Sequence, residues 1–285
     1  MVFKHTAVAA VGAAALLVAG ALFASPTVPV IGASAAQAAT CGNTAQGFNA
    51  WLADFKDRAV AAGIRRSTVD KALAGVTYSK RVIGFDRNQK SFKLSFDQFW
   101  RRRVDQRMIN RGRKFIASNP ALVSRIENQY GVPAALVVAV WALETGFGRD
   151  SGKLPIMRSL ATLAYDCRRS TFFTAELIAA LKIVDRGDMR AGEMRGAWAG
   201  EIGQTQFLAE RYLNYAVDAD GDGRRDLMRS VPDVLVSTAN WFSRNGWQRG
   251  QPWGPGTANY AVIAKWNRAS VYQRTIAKLA DELSA

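Results

Sequence analysis

Among the residues able to do acid–base chemistry, Glu144 has the most distinctive setting. It follows an apolar run from Ala134 to Leu143 and leads into Thr145-Gly146-Phe147-Gly148. Three effects act on it together. Burial in apolar surroundings disfavours the carboxylate and raises the pKa. The C-terminal end of a helix carries partial negative charge, which also disfavours an anion. The glycines let other groups approach closely. A carboxyl that keeps its proton near neutral pH is what protonation of a glycosidic oxygen requires. The competing role is structural, as a helix-end residue paired with Arg149.

Other chemistries are excluded by composition. The only histidine is His5, within an N-terminal segment that reads as a leader. Without histidine in the remaining chain, Ser-His-Asp and Cys-His nucleophile systems and His-ligated zinc are ruled out. Acid–base work falls to carboxylates, Lys, Tyr or Cys. Asp166 and Glu176 lie near Glu144 in sequence, but neither has a comparably apolar setting.

The leader has a short positive start at Lys4, an uncharged run from Thr6 to Ala24 and an Ala36-Gln37-Ala38 cleavage signature. It reads as a signal peptide over residues 1–38, cut after Ala38; the alternative is an uncleaved membrane anchor. Cys41 lacks the upstream Leu of a lipoprotein signal. The expected location is exported, periplasmic or cell-envelope. An exported compartment permits one disulfide, between Cys41 and Cys167; two free thiols are the other state. The formal net charge is +15, and removal of Lys4 with the leader leaves +14. Such a surface suits anionic partners, although export argues against nucleic acid. Arg101-Arg102-Arg103 and Arg111-Gly112-Arg113-Lys114 read most simply as a solvated face.

The elements that must position Glu144 are mainly helical. Apolar residues recur at the helix period over Phe48–Ala61, Phe96–Ala117, Val123–Tyr130, Phe172–Val184, Val231–Asn245 and Tyr260–Leu283. Pro133 suits the first turn of the helix that ends at Glu144. That helix is apolar all round and is therefore expected to be buried. Gly192–Gly203 reads as a glycine-rich loop with a small β element. The expected fold class is mainly α.

Asp218-Ala219-Asp220-Gly221-Asp222-Gly223 places acids at positions one, three and five and Gly at six of an EF-hand-type loop. Arg224 would contribute its carbonyl, Asp226 stands at position nine, and Asp233 is a late acid that could close the site. Position twelve is Arg229 instead of Glu. A structural calcium ion is expected here, with no cofactor for catalysis; the alternative is a turn stabilised by its own Asp side chains.

Several blocks in order resemble the B-type lytic murein transglycosylases. They are Tyr130-Gly131-Val132-Pro133, Glu144-Thr145-Gly146-Phe147-Gly148-Arg149, Gly152-Lys153, Ser159 to Ala164, Trp198 to Phe207, Tyr215 to Gly223 and Ser237 to Phe242. Asp86-Arg87-Asn88-Gln89 and Phe96-Asp97 extend the resemblance upstream, so that it covers residues 80 to 285. It implies a lysozyme-like core at 131–230, between a helical part at 41–130 and another at 231–285. It also implies that Glu144 cleaves the bond between N-acetylmuramic acid and N-acetylglucosamine in peptidoglycan, with a 1,6-anhydro product. The resemblance further implies substrate contacts at Gln206, Asn267, Trp241, Arg168 and Arg169. Gln206 would bond an N-acetyl group or hold Glu144, and Trp241 would stack on a sugar.

Departures from the family pattern fall at Ala197, Glu201 and Ala209-Glu210. Glu201 stands where the family has a small residue and keeps a hydrolytic muramidase open as a second reading. A non-catalytic, basic wall-binding protein is the third.

Overall fold

The computed structural model describes residues 40–88 and 94–285. The expected leader lies outside the described residues. Among the described residues the regular structure is helical except for one two-stranded sheet. The first helix, α1 (Phe48–Ala61), buries Phe48, Trp51, Leu52, Phe55 and Ala59, the three-and-four spacing of one helix face. Two short helices follow, α2 (Arg66–Ala72) and α3 (Lys80–Arg87).

The stretch expected as one helix over Phe96–Ala117 is two, α4 (Phe96–Arg103) and α5 (Gln106–Ser118). Val104 between them is extended, and the Asp105 carboxylate accepts the Met108 N–H at 2.8 Å. Apolar spacing continues through the break, so periodicity could not show it; the signal was the N-capping Asp. Next come α6 (Pro120–Tyr130), with Pro at its start and left-handed Gly131 at its end, and α7 (Ala134–Thr145).

Helix α7 is the axis of the core. Every residue from Ala134 to Leu143 is buried, as its all-apolar sequence requires. Helices α5 and α6 pack against it from the N-terminal side, and two later helices, α11 (Val231–Arg244) and α13 (Ser270–Ser284), pack against it from the C-terminal side. Burying one Leu or Val side chain is worth roughly 1.5–3 kcal/mol, so this contact set fixes α7, and with it Glu144, firmly.

The small β element exists as two two-residue strands. Strand β1 (Leu154–Pro155) pairs antiparallel with β2 (Arg195–Gly196), in register Leu154 with Gly196. Between them run α8 (Ile156–Tyr165) and α9 (Ser170–Arg186), the latter ended by left-handed Gly187. After the glycine-rich loop come α10 (Ala209–Tyr215), α11 and α12 (Ala258–Trp266). The Tyr260–Leu283 stretch is again interrupted: Asn267 is extended and ends α12 before α13 begins.

Cys41 and Cys167 form a disulfide across 126 positions of sequence. The Gly42 N–H bonds the Tyr165 carbonyl at 2.9 Å beside it. No described helix is long and apolar enough to cross a membrane.

Candidate active site

The turn after α7 is built for close approach. Gly146 takes a left-handed conformation at φ 59°, and its N–H and that of Phe147 bond the Ala142 and Trp141 carbonyls, closing the helix end. Gly148 also has positive φ, and a Cβ there would lie 2.2 Å from Gln204 Oε1. That amide is already engaged: Oε1 accepts the Trp141 indole N–H at 2.8 Å, and Nε2 donates to the Met228 carbonyl at 3.0 Å. The Thr145 hydroxyl donates to the Gln204 carbonyl and accepts the Gly148 N–H. Gln204 thereby locks the turn after α7 to the glycine-rich loop.

Glu144 faces a recess of about 410 Å³. Its Oε1 accepts the Trp266 indole N–H at 3.0 Å. The Trp266 ring is fixed by stacking on Phe242 and by edge contacts with Trp241 and Phe207. The Tyr272 hydroxyl, buried beside the carboxyl, completes no hydrogen bond of normal geometry. Burial pushes the Glu144 pKa above the ordinary carboxylate range. The Trp266 and Tyr272 donors and the charges of Arg211 and Arg103 pull it part of the way back. The balance leaves the Glu144 pKa raised, in a carboxyl that lines the recess.

The opposite wall comes from α9 and the glycine-rich loop. It includes Arg169, Phe172, Phe173, Trp198 and Glu201. Glu201 Oε2 accepts the Ala199 N–H at 3.0 Å. Burial raises its pKa too, against the pull of backbone N–H groups and Arg169. Gln206 lines the recess and has positive φ at 57°. Its Nε2 is tied to the Gly203 and Ser151 carbonyls, which leaves its Oε1 as the acceptor for a ligand N–H. Gln206 does not hold Glu144; Trp266 does. Asn267 also lines the recess, with Oδ1 bonded to the Ala269 N–H and its amide N–H groups free to donate.

Residues 47–258 match the family described as Transglycosylase SLT domain. The chain belongs to this family. It is 36% identical over 129 residues to the membrane-bound lytic murein transglycosylase B of Escherichia coli (strain K12), a stretch amounting to 45% of this chain and 36% of that protein. The match therefore spans about a third of that relative's length. Among solved structures, SltB3 of Pseudomonas aeruginosa, in complex with NAG-anhNAM-pentapeptide, aligns with a TM-score of 0.78 at 32% identity, covering 84% of this chain and 80% of that one. The same protein in complex with NAG-NAM-pentapeptide aligns equally well. The soluble lytic transglycosylase SltB1 of the same organism shares the fold at 22% identity and a TM-score of 0.77, covering 82% of this chain and 98% of its own. The mainly α, lysozyme-like class is the fold of this family.

Two expected ligand contacts sit elsewhere in this transglycosylase-domain chain. Trp241 is buried behind the recess, with its ring taken up by Trp266, Phe242 and the Arg211 guanidinium, so it has no face to offer a sugar. Arg168 does not line the recess; its Nε donates to Asp86 at 2.7 Å and its terminal nitrogen to the Asp86 carbonyl. Arg169 bonds the same carboxylate at 2.5 Å and does reach the wall. Burial alone would raise the Asp86 pKa, but the two arginines outweigh it and hold the group ionised. Asp166 likewise serves structure, accepting Arg87 at 2.7 Å. Glu176 accepts the Glu210 N–H at the start of α10.

Arg211 went unremarked in the sequence. Its guanidinium lies 4.7 Å from the Trp266 ring centre and 4.8 Å from that of Trp241, facing the recess. No local pattern announces an Arg caged by rings that come from α11 and α12.

In the acidic loop, Asp218, Asp220 and Asp222 bring carboxylate oxygens within 4.8 Å of one another. Asp233 plays a different part from the expected ligand. Its buried carboxylate accepts the N–H groups of Ala219, Asp220 and Asp226 and so holds the loop's backbone. Asp226 is occupied by the Arg229 side chain and by the Met228 and Arg229 N–H groups. The Arg224 N–H donates to Asp222.

Proposed function

We propose that this chain is an exported lytic transglycosylase acting on peptidoglycan glycan strands. The observation that carries the reading is Glu144: one carboxyl, its pKa raised by burial, facing a recess and held by a side-chain donor that also welcomes its anion. The proton passes from Glu144 to the oxygen bridging N-acetylmuramic acid and N-acetylglucosamine, and the C1–O bond breaks. The Glu144 carboxylate then takes the proton of the muramoyl C6 hydroxyl as its oxygen closes on C1. The product is a 1,6-anhydro sugar; no water is consumed and the acid is regenerated. Gln206 Oε1 and the Asn267 amide supply a complementary acceptor and donor for N-acetyl groups. That SltB3, one of the similar enzymes, is crystallised with an anhydro-sugar peptide is further support.

A hydrolytic muramidase is the second reading, because Glu201 shares the recess. Burial favours its protonated form, which is poorly suited to act as base or nucleophile. Digestion of purified peptidoglycan distinguishes the two. The expected fragments are one water lighter than hydrolysis products and are absent with Glu144→Gln. Hydrated reducing ends would establish the muramidase.

We further propose that Asp218, Asp220 and Asp222 hold a structural divalent cation, calcium by the hardness of their oxygens. Millimolar calcium is expected to raise the melting temperature of chelator-treated protein, and Asp220→Asn to abolish that rise. A melt indifferent to calcium would leave the loop as a turn held by its own side chains.

A further inference from the structure

A second recess, of about 530 Å³, is lined by six arginines: Arg101, Arg102 and Arg103 from α4, Arg107 and Arg111 from α5, and Arg149 from the turn after α7. It shares no lining residue with the recess that holds Glu144. All six side chains belong to exposed residues. Elsewhere buried acids gather the arginines: Asp86 binds Arg87, Arg168 and Arg169, and Asp188 binds Arg186 and Arg225. Here the only acid in the lining is Asp105, and its carboxylate is spent on capping α5.

Three of the cations are fixed in place. Arg103 donates to the Leu143 carbonyl at 2.5 Å and Arg149 to the Gly146 carbonyl at 3.2 Å, both at the C-terminal end of α7, whose partial negative charge favours them. Arg111 lies 4.7 Å from the centre of the Phe147 ring. The other three, Arg101, Arg102 and Arg107, have no ion pair or hydrogen bond among the described residues. The result is a cavity with a fixed cationic wall and three free guanidiniums.

We propose that this recess binds a linear polyanion of repeated phosphate groups, with inorganic polyphosphate as its simplest form. The donors are all arginine, whose planar fork pairs with phosphate oxygens in bidentate fashion. They run as a series along α4 and α5, with Arg107 and Arg111 one helical turn apart on the same face, which suits a ligand with repeated charge. The one aromatic in the lining, Phe147, is buried and covered by Arg111, so no ring is free to stack on a nucleobase. The site therefore reads charge and not base identity.

The test is fluorescence anisotropy of labelled short-chain inorganic polyphosphate with the full chain. Arg101→Gln/Arg102→Gln/Arg107→Gln is compared with Lys71→Gln/Lys182→Gln/Arg190→Gln, which removes equal charge outside the recess. The first variant gives up no structural contact, and melting curves check that both fold. The recess variant is expected to weaken binding at physiological salt by about tenfold or more and to flatten the salt dependence, whereas the control changes affinity by less than about twofold. Equal weakening by the two variants, no binding by wild type, or polyglutamate of matched charge binding as tightly as polyphosphate would each overturn the proposal. The readout does not involve Glu144, so it stands or falls apart from the proposed activity.

Discussion

Glu144 and Glu201 face the same recess, and burial raises the pKa of both, yet they are held in different ways. Glu144 stands at the end of a fully buried helix and meets side chains: the Trp266 indole, the Tyr272 hydroxyl and the Arg211 and Arg103 charges. Glu201 folds back onto the Ala199 N–H within its own loop. A raised pKa alone therefore does not mark the catalytic acid. What sets Glu144 apart is a surround of rigid side-chain donors and cations able to take its charge when the proton leaves, whereas the Glu201 bond serves the loop that carries it.

The largest expected difference is in turnover. Glu144→Gln should reduce anhydro-muropeptide release by about a thousandfold or more, since an acid acting in the transition state is worth roughly 10²–10⁴. Glu201→Gln should stay within about tenfold of wild type, because it removes no proton donor from the proposed reaction. Equal losses, read by mass spectrometry of timed digests, would erase the distinction.

Trp266→Phe sharpens it. The ring stack survives, but the bond that favours the carboxylate is lost. The Glu144 pKa then rises further, and because the acid must be protonated to act, the alkaline limb of the kcat/KM profile should move to higher pH. Loss of one such bond costs about 1–3 kcal/mol, so the rate should fall on the order of tenfold. An unmoved limb would show that the indole only packs.

Arg211→Gln should move the same limb in the same direction by less, since Arg211 acts on Glu144 through charge without a direct hydrogen bond. A pH-profile series of the two variants checks the order.

The smallest effect is one the two acids share. In the unfolded chain a glutamate titrates near 4.3, and in the fold both titrate higher. Their protonated forms support the fold fully below the unfolded value, and that support is lost as pH rises through the folded one. Replacing either by Gln should therefore raise the melting temperature at pH 7, by about 2–4 °C for a gain of 1 kcal/mol in a chain of this size, and leave it nearly unchanged at pH 4. A Glu144→Gln protein that melts earlier at pH 7 would mean that the charged form is the one at home in the fold.

The sequence made α7 legible because an all-apolar run ending in Glu and two glycines reads as a buried helix with a carboxyl at its end; the choice between a chemical and a structural role for that carboxyl rested on the resemblance. Its apolar spacing was silent about the breaks at Val104 and Asn267, where the spacing carries on while the backbone turns extended. Gln206 and Asn267 line the recess with Glu144. Trp241 does not, because its ring is spent on Arg211 and Trp266, partners decided by tertiary packing. Arg211 itself needed two rings from distant segments, Trp241 and Trp266, to acquire a role. The aspartate loop was read by spacing alone, and spacing could not say that Asp233 would turn inward to the backbone.

The disulfide has a consequence in time. Cys41 precedes every described helix, yet its partner lies 126 positions later, beyond α7 and α8. As the chain emerges from its amino end, this early cysteine must wait, unpaired, until α1 to α8 have appeared. The segment ahead of α1 is thus fastened only after α8, and the bond that fastens it adjoins the Arg168-Arg169 pair beside the recess. Closure thus records that the chain has been threaded at least as far as Cys167.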